Sequence, residues 1–230
     1  MKGNKFERVE QKYLLNQDEY DHIQTLIKKY FDKDRYYQSK IYNIYFDNDN
    51  NDLLIDSLEK PIFKKKIRLR SYDGINKNDN LYFEIKEKYK GIVYKRRIKL
   101  TVNEYNKYIN ERIIPDKQIM KEIDYYINYY KVHPYIFLAY DRLSYCGKDN
   151  PEFRITFDTN LRYRYDNLEL IDTNNNQNYF KDNKYIMEVK TLDSLPCWFV
   201  NYLSVNKIYP RSFSKVGSIY EKERGLCYVR

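Results

Sequence analysis

The sequence predicts an α+β fold in which a closed, eight-stranded antiparallel β-barrel has helices packed outside it. Two observations carry this prediction. About eight segments alternate in hydrophobicity with the period of two that a strand requires, and helical segments with their own capping signals lie between them. The alternating segments also place charged residues opposite apolar ones, and eight strands can close into a barrel with a usable interior.

The predicted strands share one pattern along the chain. In Lys66–Tyr72, for example, the apolar residues Ile67 and Leu69 alternate with Arg68 and Arg70, which places the two kinds of residue on opposite faces. The predicted strands are Phe6–Leu15, Lys40–Asp47, Lys66–Tyr72, Leu81–Lys88, Ile92–Leu100, Tyr135–Tyr145, Phe153–Asp158 and Tyr185–Lys190.

Helices are predicted where apolar residues repeat every three to four positions after a capping signal. Asn16 and Glu19 have the spacing of a capping box, and Thr101 and Glu104 repeat it. Pro196 suits the first turn of a further helix, because that position needs no backbone donor. We therefore expect helices after Asn16, from Thr101 to Ile109, from Asp116 to Lys131, after Pro196 and after the segment Arg211–Lys215.

The composition predicts a single domain over residues 1–230, because no Gly-, Ser- or Pro-rich run divides the chain. The cysteines Cys146, Cys197 and Cys227 lack metal-ligand spacing. His22 and His133 are the only histidines, which argues against a zinc site and against histidine catalysis. Without a signal peptide or an apolar run long enough to span a membrane, the expected location is the cytoplasm.

The formal net charge of +9 indicates an anionic partner. If helices cover the apolar strand faces, the charged faces line the barrel interior, which must then be hydrated, internally paired or occupied by a polyanion. Arg68 and Arg70 lie about 7 Å apart on one strand face, a spacing that suits successive phosphoryl groups. Carboxylates recur on the same faces, and they either ligate a divalent cation or neutralise nearby cations. They are Glu10, Glu84, Asp158 and Glu188.

Seven short motifs follow one another along nearly the whole chain. They are Arg8-x-Glu10-x-Lys12-Tyr13, Ile67-Arg68-Leu69-Arg70, Phe83-Glu84-Ile85-Lys86, Tyr140-Asp141-Arg142, Arg154-Ile155-Thr156-Phe157-Asp158-Thr159, Met187-Glu188-Val189-Lys190 and Ser212-Phe213-Ser214-Lys215. In this order they resemble the VTC domain, the catalytic domain of the vacuolar transporter chaperone polyphosphate polymerase, within the triphosphate tunnel metalloenzyme superfamily.

The resemblance implies a tunnel that uses Mn²⁺ or Mg²⁺ to make inorganic polyphosphate from ATP, with release of ADP. The expected catalytic residues are Arg68, Arg70, Lys86, Arg142, Arg154 and Glu188. The expected phosphate contacts are Lys12, Arg8, Ser214 and Lys215, to which strand parity adds Lys95, Arg97 and Lys190. The expected metal ligands are Glu188, Glu10 and Glu84.

One departure bears on the activity. Hydrolytic relatives begin with Glu-x-Glu-x-Lys, whereas Arg8 occupies the first acidic position here, which favours a polymerase over a triphosphatase. A hydrolase, a non-catalytic polyphosphate-binding module and a nucleic-acid binder are the alternatives. Nucleic acid is disfavoured as a partner, because the basic residues alternate within strands instead of forming a contiguous stripe.

Overall fold

The computed structural model describes residues 9–59, 62–74, 80–90, 92–171, 175–192 and 194–225. The strands in these ranges are β1 (Val9–Leu15), β2 (Phe31–Asp47), β3 (Phe63–Tyr72), β4 (Asn80–Tyr89), β5 (Ile92–Thr101), β6 (His133–Gly147), β7 (Arg154–Arg164), β8 (Gln177–Asn178) and β9 (Tyr185–Thr191). The helices are α1 (Gln17–Tyr30), α2 (Asp52–Glu59), α3 (Val102–Glu111), α4 (Gln118–Tyr130), α5 (Cys197–Val205) and α6 (Lys215–Glu223). None of these helices has the length and hydropathy that a membrane span requires.

Both predicted capping boxes form. Asn16 Oδ1 accepts the N–H of Glu19 at 2.9 Å, and the Glu19 carboxylate accepts the N–H of Asn16 at 2.8 Å, at the start of α1. Thr101 and Glu104 make the same reciprocal pair at the start of α3. These helix starts depend only on residues three positions apart, which is why the sequence predicts them.

Two features were not predicted. Strand β2 begins at Phe31 instead of Lys40, so it is much longer than its apolar run suggests. Helix α2 has a distant cap: the Asp47 carboxylate accepts the N–H groups of Leu53 at 3.0 Å and Leu54 at 2.9 Å. A cap that lies outside the immediate helix start leaves no local sequence signal.

The predicted closed eight-stranded barrel is wrong. Hydrogen bonding orders the nine described strands as β1-β9-β7-β6-β2-β3-β4-β5, with β8 paired to β7 off this path, so the sheet is open and antiparallel with β1 and β5 at its ends. Strand β5 carries Lys95, Arg96 and Arg97 in succession, which puts charge on both of its faces, and β1 has only 7 residues. Charged and short strands are typical of sheet edges.

The chain divides into two compact units. The first unit comprises Met1–Ser39, Tyr140–Leu161 and Phe180–Phe213. Its core joins the apolar faces of β1, β7 and β9 to α1 and α5, and includes Tyr13, Ile155 and Val189. Polar residues occupy the other face of the same strands.

The second unit comprises Lys40–Ala139, Arg162–Tyr179 and Ser214–Arg230. Its core joins the apolar faces of β3, β4 and β5 to α3 and α4, and includes Leu69, Phe83 and Ile123. The helices therefore cover the apolar strand faces and leave the charged faces on the opposite side. The single domain over residues 1–230 stays a prediction.

Candidate functional site

The charged face of the second unit is built by β2, β3, β4 and β5. Their register aligns the rows Lys66–Lys86–Lys95, Tyr45–Arg68–Glu84–Arg97 and Asn43–Arg70–Tyr82–Lys99. We call these three rows the basic face, because Glu84 is their only acidic residue. Directly opposite residues of antiparallel strands project to the same side, so the cations of the three rows share one surface.

Glu84 neutralises two cations of the basic face. Its side chain is 1% exposed, its Oε2 accepts Arg68 Nε at 2.7 Å, and its Oε1 lies 2.9 Å from Lys95 Nζ. Burial by itself raises the pKa of Glu84, but the charges of Arg68, Arg70 and Lys95 lower that pKa to about 2. Glu84 is therefore ionised throughout the neutral pH range.

Arg70 is held by neutral groups only. It is 7% exposed, its Nε donates to Asn43 Oδ1 at 2.9 Å, and its Nη1 lies 3.5 Å from the Tyr72 hydroxyl. In the described part of the chain, no carboxylate forms an ion pair with Arg70. Glu84, whose pKa Arg70 helps to lower, compensates this buried charge only without direct contact, so the position can accept a further anionic ligand.

Lys86 and Arg97 extend the basic face along β4 and β5. Lys86 is half-buried and is the direct cross-strand partner of both Lys66 and Lys95, so three ammonium groups share one row. Arg97 is exposed, and its guanidinium lies 4.9 Å from the centroid of the Tyr82 ring. Like charges directly opposite one another repel, and a bound anion would relieve that repulsion.

Ser214 and Lys215 lie at the N-terminus of α6. Ser214 is the N-cap, and its hydroxyl accepts the N–H of Gly217 at 3.2 Å and Lys66 Nζ at 2.9 Å. Since Lys66 belongs to the basic face, this bond brings the start of α6 next to that face. The helix dipole adds partial positive charge at the same place.

The pKa of Tyr45 reflects the positive electrostatic potential of the basic face. Its hydroxyl accepts Arg68 Nη1 at 3.0 Å. Burial raises the pKa of Tyr45, but the charges of Arg68, Arg70 and Lys215 outweigh burial and lower the pKa below its ordinary value. A phenol ionises more readily only where the surroundings favour negative charge.

The first unit carries a second group of charges on β1, β9 and β7. Their register aligns the rows Glu10–Lys190–Arg154 and Lys12–Glu188–Thr156, which we call the mixed-charge face. Lys190 Nζ lies 3.4 Å from Glu188 Oε1, and Lys12 Nζ lies 4.0 Å from Glu10 Oε1. Lys12 also donates to the carbonyl oxygen of Phe213 at 3.1 Å. Acidic and basic groups therefore alternate here, unlike on the basic face.

Arg142 from β6 completes this group. Its Nε and Nη2 donate to the two carboxylate oxygens of Asp158 at 2.6 and 2.8 Å, and its Nη2 lies 3.6 Å from Glu188 Oε2. Burial would lower the pKa of Arg142, but the charge of Asp158, followed by Tyr140 and Glu188, raises it well above its ordinary value. The bidentate pair fixes the orientation of the guanidinium.

Arg154 is bound more weakly. Its Nη2 donates to Asp34 Oδ2 at 2.6 Å, but its side chain is 44% exposed. Exposed ion pairs contribute little to stability, so Arg154 can exchange Asp34 for another anion at low cost.

The predicted metal position at Glu188 offers oxygen donors to a divalent cation. No group of three or more His, Cys, Asp or Glu forms a metal site within the described ranges, but a cation that binds together with phosphate needs only one or two protein carboxylates. Glu188 is directly opposite Thr156, whose buried Oγ1 has no hydrogen-bond partner among the residues that the structure describes. The carboxylate and this unpaired hydroxyl are hard oxygen donors of the kind that Mg²⁺ and Mn²⁺ prefer.

The structure divides the predicted site residues between the two units. The second unit contains Arg68, Arg70, Glu84, Lys86, Lys95, Arg97, Ser214 and Lys215, and the first contains Glu10, Lys12, Arg142, Arg154, Glu188 and Lys190. Arg8 lies outside the described residues. Sequence reasoning missed Asn43 and Tyr45, although their two-residue spacing in β2 was a usable signal of a shared polar face. It also missed Asp34, which lies in the unpredicted part of β2.

Comparison with known proteins gives a family and a fold. A family model of the VTC domain matches residues 7–221. No curated protein sequence matches the chain significantly. A candidate adenylate cyclase from Bacillus halodurans is similar in structure at 13% identity, with a TM-score of 0.56 over 90% of this chain and 93% of that chain. A candidate adenylyl cyclase from Hippeastrum, described as having a dominant triphosphatase activity, is similar at 12% identity, with a TM-score of 0.53 over 96% of this chain and 97% of that chain. Together with the family match, these folds support a protein of the triphosphate tunnel superfamily.

Proposed function

Because the chain belongs to the VTC domain family, we propose that it is a metal-dependent polyphosphate polymerase. It transfers the γ-phosphoryl group of ATP to orthophosphate or to a polyphosphate chain and releases ADP. The observation that carries this proposal is the basic face, where Arg70 is buried among neutral partners. A polyphosphate supplies the negative charge that this face lacks.

Phosphoryl transfer depends mainly on positioning and on neutralising charge. Arg68, Arg70 and Lys86 bind the triphosphate of ATP on the basic face. A terminal oxygen of the acceptor phosphate forms the new bond to the γ-phosphorus, while the bond to the β–γ bridging oxygen breaks and ADP leaves with that electron pair. The attacking oxygen is already ionised at neutral pH, so no side chain has to remove a proton. The further phosphate contacts are Lys95, Arg97, Ser214 and Lys215 in the second unit and Lys12, Arg142, Arg154 and Lys190 in the first.

We assign the divalent cation, Mn²⁺ or Mg²⁺, to Glu188 and the opposite hydroxyl of Thr156. When bound, the cation supplies positive charge to the phosphoryl oxygens. Glu10 lies on the same mixed-charge face and is a second carboxylate for it. Glu84 is better assigned as the neutralising partner of Arg68, because cations lie 2.7 and 2.9 Å from its two oxygens, closer than the 3.4 and 3.6 Å at which cations lie from Glu188.

A triphosphatase is the second candidate, since a solved protein of the same fold is described as having a dominant triphosphatase activity. In that case water replaces the acceptor phosphate, and the products are ADP and orthophosphate. The same cations would bind the substrate, so only the products distinguish the two reactions.

The proposal is tested by incubating the purified protein with ATP and Mn²⁺ and resolving the products by ³¹P NMR. A growing signal from internal chain phosphates, matched by ADP, is expected of a polymerase. Orthophosphate without chain phosphates would instead establish a hydrolase. Tight polyphosphate binding without turnover would indicate a non-catalytic binding module.

Matched variants link the products to the site. Arg70→Gln is expected to abolish chain synthesis, whereas Arg112→Gln removes the same charge from an exposed position of the second unit and should leave synthesis unchanged. Glu188→Gln is expected to lower turnover strongly and to raise the Mn²⁺ concentration needed for the residual activity. Full activity in Arg70→Gln would contradict the assignment of the basic face.

A further inference from the structure

Arg68 and Arg70 lie side by side on β3, but they are held in different ways. In the row of Arg68, the β4 partner is Glu84, which accepts Arg68 Nε at 2.7 Å. In the row of Arg70, the β4 partner is Tyr82, and Arg70 Nε donates instead to Asn43 on β2 at 2.9 Å. The first guanidinium therefore has a carboxylate at its Nε, and the second has a neutral amide.

Asn43 is fixed in the orientation that presents its oxygen to Arg70. The residue is 0% exposed, and its Nδ2 donates to the carbonyl oxygen of Leu138 at 3.2 Å. A flipped amide would place its NH₂ group against Arg70 and its oxygen against the Leu138 carbonyl, so both contacts would become repulsive. Asn43 thus holds Arg70 at Nε without reducing its charge.

The Tyr72 hydroxyl is the second neutral group beside Arg70. Arg70 Nη1 lies 3.5 Å from the Tyr72 hydroxyl. Burial raises the pKa of Tyr72, but the charge of Arg70 and its hydrogen bond outweigh burial and lower the pKa. The row that contains Arg70 and Tyr82 ends at Lys99 on β5, which adds a further cation and no acid.

We infer that Asn43 is a positioning residue that fixes Arg70 without a direct carboxylate contact, so that Arg70 offers more positive charge to a phosphate group than Arg68, whose charge Glu84 partly neutralises. This inference rests on the proposed function, since it assumes that the basic face binds phosphate. It goes further because it assigns different available charges to two neighbouring arginines of β3. An aspartate at position 43 has nearly the same shape as asparagine but would neutralise Arg70.

The test measures binding of tripolyphosphate by isothermal titration calorimetry in the presence of EDTA, so that no metal contributes. Asn43→Asp is expected to weaken binding roughly 10- to 100-fold, because a charge-assisted hydrogen bond to Arg70 is lost. Asn103→Asp adds the same charge at an exposed position of the second unit and should change affinity less than about twofold, because exposed charges are strongly screened.

Asn43→Ala separates positioning from a merely structural role. It leaves both Arg70 Nε and the Leu138 carbonyl without their partner, whereas Asn43→Asp keeps a partner for Arg70 but sets a carboxylate oxygen against the Leu138 carbonyl, so both variants are expected to lose stability. Asn43→Ala preserves the charge of Arg70, however, so it should weaken tripolyphosphate binding less than Asn43→Asp. Asn43→Asp is therefore expected to bind tripolyphosphate more weakly than Asn43→Ala, and equal or weaker binding by Asn43→Ala overturns the inference.

If Asn43→Asp does not fold, Glu84→Gln tests the same difference in available charge between Arg68 and Arg70. It releases the charge of Arg68, so it is expected to tighten tripolyphosphate binding several-fold, and unchanged or weaker binding overturns the inference. Failure of the unmodified protein to bind tripolyphosphate in EDTA overturns this inference, whereas the proposed function is decided separately by the ³¹P NMR products formed with Mn²⁺. Normal binding by the unmodified protein and by Asn43→Asp refutes the inference alone.

Discussion

Replacing Glu84 by Gln should destabilise the ligand-free protein in a pH-dependent way. The carboxylate is 1% exposed and pairs with Arg68 at 2.7 Å and Lys95 at 2.9 Å. A pKa lowered from 4.5 to about 2 corresponds to roughly 3 kcal/mol of stability at pH 7. Glu84→Gln removes this contribution together with both ion pairs, so we expect the free energy of unfolding to fall by about that amount.

The sign of the pH dependence follows from the lowered pKa. The wild-type carboxylate stabilises the fold fully above its ordinary pKa of 4.5, and this contribution is lost as the pH falls through about 2. The variant lacks the contribution at every pH. The difference between the two proteins is therefore largest at pH 7 and shrinks progressively once the pH drops below 4.5.

Urea denaturation followed by circular dichroism at pH 7, 5, 4 and 3 measures this difference. Glu111→Gln is the matched control, because it makes the same substitution at an exposed position of the second unit and should change stability by less than about 0.5 kcal/mol. A loss in Glu84→Gln that is equal at all four pH values would show that Gln disturbs packing instead of charge, and no loss at pH 7 would refute the ion-pair reasoning.

Three further predictions concern single contacts. In urea denaturation, Arg142→Ala should cost roughly 3–5 kcal/mol, because it breaks an ion pair to a carboxylate that is 0% exposed. Arg154→Ala breaks an exposed pair and should cost at most about 1 kcal/mol, and equal losses would contradict the difference in burial. In an ultraviolet tyrosine titration, Tyr45→Phe should remove one of the phenols that ionise below the ordinary tyrosine range, and an unchanged low-pH part of the curve would count against the potential assigned to the basic face. Thr101→Ala should lower the free energy of unfolding by about 1 kcal/mol through loss of the α3 cap, and an unchanged urea midpoint would show that the cap is dispensable.

The contacts of several site residues could not be predicted from the sequence, because they join strands that are distant along the chain. Glu84 and Arg68 are 16 positions apart, and Asn43 and Arg70 are 27 positions apart. The sequence shows that both arginines share a strand face, but it does not show which of them receives the carboxylate. The register of β2, β3 and β4 decides this, because it sets Glu84 opposite Arg68 and Tyr82 opposite Arg70.

By itself, the sequence determined three features. They are the alternation of charged and apolar residues, the strand segments that this alternation predicts, and the helix starts at Asn16 and Thr101. These features depend on neighbours two to four positions away, so a linear pattern contains all the information they need. Only the tertiary structure decided that the sheet stays open between β1 and β5, that Asp47 caps a helix beyond its own strand, and that Arg70 has no acidic partner among the described residues. Those outcomes depend on strand order and register, which arise from the packing of the whole chain and not from any local segment of it.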